Sequence, residues 1–222
     1  MDLTLQFDAY CERVGFAFWA EPVNAITNLG FVLAALWAVS HCASRGARVL
    51  AAILGAIGVG SFLFHTFATG WASLADTIPI GLFILVYLWL VNRDLLRLRP
   101  VPATLLTAGF IPFAALTVWG LGQVPFLRIS APYWTVPILL VIYGALHARY
   151  RPEVTRGFLA GAALLSVSIV LRSLDDRLCG AFPLGTHFAW HLLNAVMLGF
   201  MIAVYDRRIA PGGPLAALRP GR

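Results

Sequence analysis

The 222-residue chain is short of charge: Asp, Glu, Lys and Arg make up 12% of it, against about 25% in ordinary soluble domains. Lysine is missing altogether, so all 16 basic residues are arginine, and acids number only 10. With 60% hydrophobic residues and a mean hydropathy of +0.82, this scarcity excludes a water-soluble globule, along with fibrous, disordered and nucleic-acid-binding readings. The net charge of +6 is then a guide to how the chain sits in a bilayer. A cleavable signal peptide is also lacking. The first twenty residues carry Asp2, Asp8, Glu12 and Arg13 where a basic region followed by a clean apolar run would stand, so the N-terminal segment is expected to stay with the mature protein.

In place of charge the chain has apolar blocks of roughly 17 to 23 residues, the length that carries a helix across about 30 Å of hydrocarbon. They predict helices over 22–43, 49–68, 74–91, 101–122, 132–148, 157–174 and 187–205, separated by polar stretches such as SRGAR (44–48) and NRDLLRLRP (92–100). The expected fold is an all-α, integral membrane, seven-transmembrane-helix bundle. It forms one domain over 1–206, with 1–21 outside the membrane and 207–222 a disordered cytoplasmic tail rich in Pro and Gly. Pro100, Pro102, Pro112, Pro125, Pro132 and Pro137 interrupt the pattern, but proline kinks membrane helices without ending them.

The arginines orient the bundle. Arg45, Arg48, Arg93, Arg97, Arg99, Arg149, Arg151, Arg156, Arg207, Arg208, Arg219 and Arg222 fall on one side, twelve of the sixteen; Arg13, Arg128, Arg172 and Arg177 are left on the other. The positive-inside rule then puts the N-terminus outside and the C-terminus in the cytoplasm. Acids partition the opposite way, with Asp2, Asp8, Glu12, Glu21, Asp76, Asp175 and Asp176 toward the outer face and Asp94, Glu153 and Asp206 toward the inner. The short loops and the lack of lysine suggest a compact bacterial protein of the inner membrane, its outer face periplasmic.

Ionisable side chains inside membrane helices are expensive and mark sites by default. The second predicted helix contains GSFLFH, which puts Ser61 and His65 four apart on one face near the outer end. The third carries Asp76 at a similar depth. The seventh opens HFAWH, so His187 and His191 also share a face there. Three neutral imidazoles with an open fourth position are the ligand set of a catalytic zinc, which lowers the pKa of bound water to about 7. Haem fits less well, because two histidines one turn apart on a single helix are poorly placed for one iron. His41 and His147, near inner helix ends, read as packing residues. Ser61 lies in a stripe of small residues (Gly55, Gly58, Gly60) and is also explained by helix packing, and Asp76 by capping of the third helix. Of the three cysteines, Cys11 and Cys179 fall outside and Cys42 inside. Only the first two share an oxidising compartment, and whether they pair or stay as buried thiols is open at this stage.

These residues resemble the alkaline ceramidases, seven-helix zinc hydrolases in the wider group that includes adiponectin-receptor-like proteins. The resemblance runs over nearly the whole chain and rests on YCE (10–12) with AEPVNAITN (20–28), GSFLFH (60–65) with Asp76 eleven residues later, LDDRLC (174–179) and HFAWH (187–191). It implies that His65, His187 and His191 hold zinc, that Ser61 steadies the amide carbonyl or its oxyanion, and that Asp76 handles the proton of the attacking water. It also implies a Cys11–Cys179 disulfide, and a ceramide-like lipid in the bilayer as substrate, split to a fatty acid and a sphingoid base. Animal-type members hold calcium with the N-terminal segment. Here Glu12 and Glu21 match, Asp8 is a substitute oxygen ligand, and Ala9, Tyr10 and Val14 depart from the family's stretch; the alternative is that Glu21 and Asn24 cap or pair within the first helix. Two other functions compete: a non-enzymatic receptor or transporter with structural zinc, in which Asp76 closes the metal as fourth ligand, and a hydrolase of another lipid amide or ester.

Overall fold

The computed structural model describes residues 2–209, and these are helical apart from turns, an extended N-terminal segment and one isolated bridge between Gln6 and Thr69. Six helices are long and apolar enough to cross a membrane: the first (Pro22–His41), second (Arg45–Phe67), third (Gly70–Leu95), fourth (Pro100–Leu121), sixth (Pro152–Leu178) and seventh. The seventh runs over His187–Ile209 and the fifth, Ala131–His147, is the shorter one. The expected bundle is found, with the second, third, sixth and seventh helices longer than their apolar cores. Arg45 and Arg48 belong to the second helix and not to a loop, because the Ser44 side chain accepts from the Ala47 amide and starts the helix there. The seventh helix likewise continues past 206 to Ile209, so 207–209 are not tail, and 210–222 lie outside the described residues.

Prolines act where their missing N–H matters. Pro112 cannot donate to the Ala108 carbonyl, and the fourth helix is interrupted at Gly109 between Pro100–Ala108 and Phe110–Leu121. Pro79, inside the third helix, leaves the Ala75 carbonyl free, and that oxygen is the atom a Cβ on Gly60 would strike. Gly60 and Pro79 together therefore let the second and third helices cross closely beside Ser61 and Asp76. Gly58 serves the other flank, where a Cβ would lie 3.0 Å from Phe31 and Val32 of the first helix.

The second helix packs on the first and third, the sixth on the fifth and seventh, and the seventh closes the bundle against the first. The fourth is peripheral, and none of Phe110–Leu121 is buried. Its exposed Ile111, Leu116 and Trp119 suit a lipid-facing surface, since lipid offers apolar side chains nothing to escape. At the arginine-rich pole, Asp206 accepts from the Ala43 and Ser44 amides at 3.1 and 2.8 Å, and Arg208 pairs with Glu153 at 2.9 Å.

Candidate metal centre

His65, near the end of the second helix, meets His187 and His191 of the seventh at the opposite pole, with ligand atoms of all three rings within 4.8 Å of one another. Each histidine is at most 2% exposed. Among the described residues this is the group of three or more metal-ligating side chains that converges. Nε2 of His65, Nδ1 of His187 and Nε2 of His191 are buried with no hydrogen-bond partner. Three enclosed nitrogens lacking partners are costly unless something binds them, and a neutral-imidazole donor set of this kind fits a zinc with one position left for water or substrate.

The second nitrogens of two rings explain how they are aimed. His65 Nδ1 lies 2.6 Å from Glu21 Oε2, and His191 Nδ1 lies 3.0 Å from Thr27 Oγ1. A carboxylate accepting the Nδ1 proton fixes the tautomer that presents Nε2 as a lone pair. Glu21 is itself held: Arg13 Nε donates to Oε1, and Asn24 Nδ2 donates to Oε2 at 3.0 Å. Burial alone would raise the Glu21 carboxyl, but the hydrogen bond and charge of His65, with Asn24 and Arg13, hold it below the usual carboxylate range. Arg13 also donates through Nη2 to the His65 carbonyl at 2.9 Å, so one guanidinium ties helix end, carboxylate and ligand together.

Glu12 serves a different purpose. Its two oxygens accept from the Val23 and Asn24 amides, both at 2.7 Å, at the start of the first helix, where backbone donors and the helix dipole favour a carboxylate. Pairing of Glu21 with Asn24 is thus the arrangement found. Asp8 is exposed and does not join Glu12 and Glu21, so the three carboxylates expected around calcium form no common cluster. The oxygens of Glu12 are engaged as a helix cap and those of Glu21 as the outer partner of His65.

Ser61 and Asp76 line the same pocket as His187 and His191, and Asp76 is near enough to His65 and the Ser61 hydroxyl to interact with both. Asp76 is not among the side chains whose ligand atoms converge within 4.8 Å. Inward from the histidines the pocket turns apolar. Phe83, Ile84, Val136, Met197 and Leu198 line both it and a second cavity that extends toward Tyr87, Tyr143 and Met201. His41 and His147 stand apart: the former stacks on Trp37, with ring centroids 5.1 Å apart, and the latter bonds the Tyr143 carbonyl at 2.7 Å.

The N-terminal segment covers the centre. The Tyr10 ring stacks on His187 at 3.7 Å, and Cys11 is disulfide-bonded to Cys179. Asp175 organises this junction, accepting from the Cys11 amide through Oδ2 at 2.9 Å and from the Thr186 and His187 amides through Oδ1 at 2.6 and 2.8 Å. It thereby caps the seventh helix beside its first ligand. Gly185, at φ +62°, completes the turn, since a Cβ there would collide with Asp175 and with the Cys11 Cβ.

Sequence reasoning missed Arg13, Thr27, Arg172 and Asp175 as parts of the site. Arg172 carried a signal: counted only as an outer-side cation, it stands inside the predicted sixth helix, where ionisable residues mark sites. Arg13 and Thr27 carried none, because their roles depend on how the N-terminal segment and the first helix meet the histidines.

A polytopic helical membrane protein with a buried tri-histidine centre at one pole is the class that fold and pocket define. The chain belongs to the ceramidase family, whose sequence pattern matches residues 8–208. No curated protein and no solved structure matches it. The family implies a metal-dependent membrane hydrolase of amide bonds.

Proposed function

We propose that this protein is a zinc-dependent intramembrane amidase that hydrolyses ceramide or a similar N-acyl sphingoid lipid to a fatty acid and a sphingoid base. The observation that carries the reading is the set of three partnerless imidazole nitrogens beside Ser61 and Asp76, in a chain of the ceramidase family. Bound by His65, His187 and His191, zinc would supply Lewis acidity and a water ionised near pH 7. The Ser61 hydroxyl donates to the oxyanion as the carbonyl carbon becomes tetrahedral. Asp76 takes a proton from the attacking water and delivers it to the amide nitrogen as the C–N bond breaks, so water is consumed and the departing amine leaves neutral. The inward apolar stretch takes the acyl chain, and the substrate need not leave the bilayer. A structural zinc closed by Asp76 is disfavoured by the place of Asp76 outside the converging group.

The arginine asymmetry supports a site on the non-cytoplasmic side, periplasmic in a bacterial inner membrane, within one helical domain that continues to Ile209. The test is metal content together with fatty-acid release from ceramide by the purified protein. About one zinc per chain and release abolished by chelation are expected; full activity in metal-free His187→Ala would overturn the mechanism.

A further inference from the structure

The sixth helix carries a cation in an apolar run: SVSIVL leads directly into Arg172. A charge placed in such a helix faces the bundle interior and calls for a partner. Arg172 faces the histidine pocket, which it lines together with Ser61, Asp76, Tyr133 and Trp190. Its Cζ stands 4.8 Å from the Tyr133 ring centre and 5.8 Å from that of Trp190, so two aromatic faces hold the guanidinium. Nη1 donates to Ser130 Oγ at 3.0 Å and to the Ile129 carbonyl at 3.5 Å. Nε is enclosed and has no partner. Among the described residues, the ion pairs within 4.0 Å join Arg13 and His65 to Glu21 and Arg208 to Glu153, and none includes Arg172.

Rings and neutral oxygens, the Tyr10 and Tyr133 hydroxyls among them, orient the half-buried guanidinium without an ion pair, and a charge drawn out of water in this way is costly. Asp76 feels its field across the pocket but is assigned to carry the proton of the reaction. A planar fork of donors matches a carboxylate or a phosphate far better than it matches a hydroxyl. With the acyl chain directed inward along Phe83, Met197 and Leu198, the amine half of the lipid is left at the outer end, beside Arg172. We propose that Arg172 selects N-acyl lipids whose amine half bears a carboxylate or phosphate next to the scissile amide. This inference rests on the hydrolase reading above and moves its preferred substrate from ceramide itself to N-acyl lipids with an acidic amine half.

The experiment compares ceramide, ceramide 1-phosphate and N-palmitoylserine as neutral, phosphate and carboxylate probes of the detergent-solubilised, zinc-loaded full-length protein. For at least one acidic probe, kcat/KM should exceed that of ceramide by about tenfold or more, the scale of a hydrogen bond to a charged group. Which acidic probe leads identifies the anion. The acidic-to-neutral ratio should collapse toward one in Arg172→Gln and be partly kept in Arg172→Lys, which retains the charge and loses the fork. A wild-type ratio at or below one, or an unchanged ratio in Arg172→Gln, overturns the inference while leaving the hydrolase reading intact. The rise in melting temperature on adding each probe gives the same comparison without turnover. An Arg172-dependent rise with acidic probes, in a protein that cleaves none of the three, would retain the selection and sink the hydrolase reading. Equal rises with acidic and neutral probes overturn the selection.

Discussion

His65 and His147 are both buried histidines with Nδ1 hydrogen-bonded and Nε2 left without a partner, yet they do different work. His147 leans on a backbone carbonyl and belongs to no converging group of three ligands among the described residues. His65 leans on an ionised carboxylate and points its free nitrogen at two more rings. Such outer partners are worth about 10- to 100-fold in metal affinity, so Glu21→Gln should weaken zinc binding by about that factor in chelator competition. Thr27→Val, which removes a neutral partner of His191, should cost less. Ser61→Ala and Asp76→Asn should keep metal and lower turnover by about 10²-fold each, the size expected for an oxyanion donor or a general base. Zinc loss in place of turnover loss would reassign them as ligands. Cys42 is the contrasting thiol: burial pushes it up from 9.0 to about 11, with Asp206 adding to the rise. Because the thiolate is the nucleophile, alkylation of Cys42 by iodoacetamide in the folded protein should be slow at pH 8 and climb only toward pH 11, whereas denaturation should bring fast labelling near pH 9.

At the scale of elements, the connection between the sixth and seventh helices does more than join them. Asp175 gathers three backbone amides, among them that of His187, and links helix capping to ligand placement. Asp175→Ala should therefore cost about 1–3 kcal/mol, seen as a lowered melting temperature, and should weaken zinc retention as well. Loss of stability with zinc affinity unchanged would show that the cap and the ligand are independent. The helices themselves were legible because every apolar block in the sequence is a helix. Their ends were not: a hydropathy window sees the hydrocarbon core, while backbone hydrogen bonding continues through Arg45–Arg48 and Asp206–Ile209 for as long as caps and donors allow. The histidine triad was legible from spacing and depth alone. The carboxylates of the N-terminal segment were not, since Glu12 and Glu21 are equally good as calcium ligands, caps or ion-pair partners until the segment's path is known. That path is set by Leu3, Leu5 and Phe7 running beside the turn that joins the second and third helices, where the Trp71 amide donates to the Leu3 carbonyl at 2.9 Å.

For the molecule as a whole, charge is sorted between two poles, with the polar machinery at one and most arginines at the other. An impermeant maleimide applied to intact cells should label a cysteine introduced at Phe16 and leave one introduced at Arg97 untouched until the membrane is opened; the reverse pattern would invert the proposed orientation. The covering segment also imposes an order on synthesis. Glu21 needs His65, Thr27 needs His191 and the Cys11 amide needs Asp175, so the N-terminal residues must wait for the seventh helix to be made. A chain halted anywhere before the seventh helix carries at most one ligand of three and an unfilled slot beside its own N-terminus. The centre thus arises only once the seventh helix is made, so on the proposed function half-built copies would be unable to act on membrane lipids.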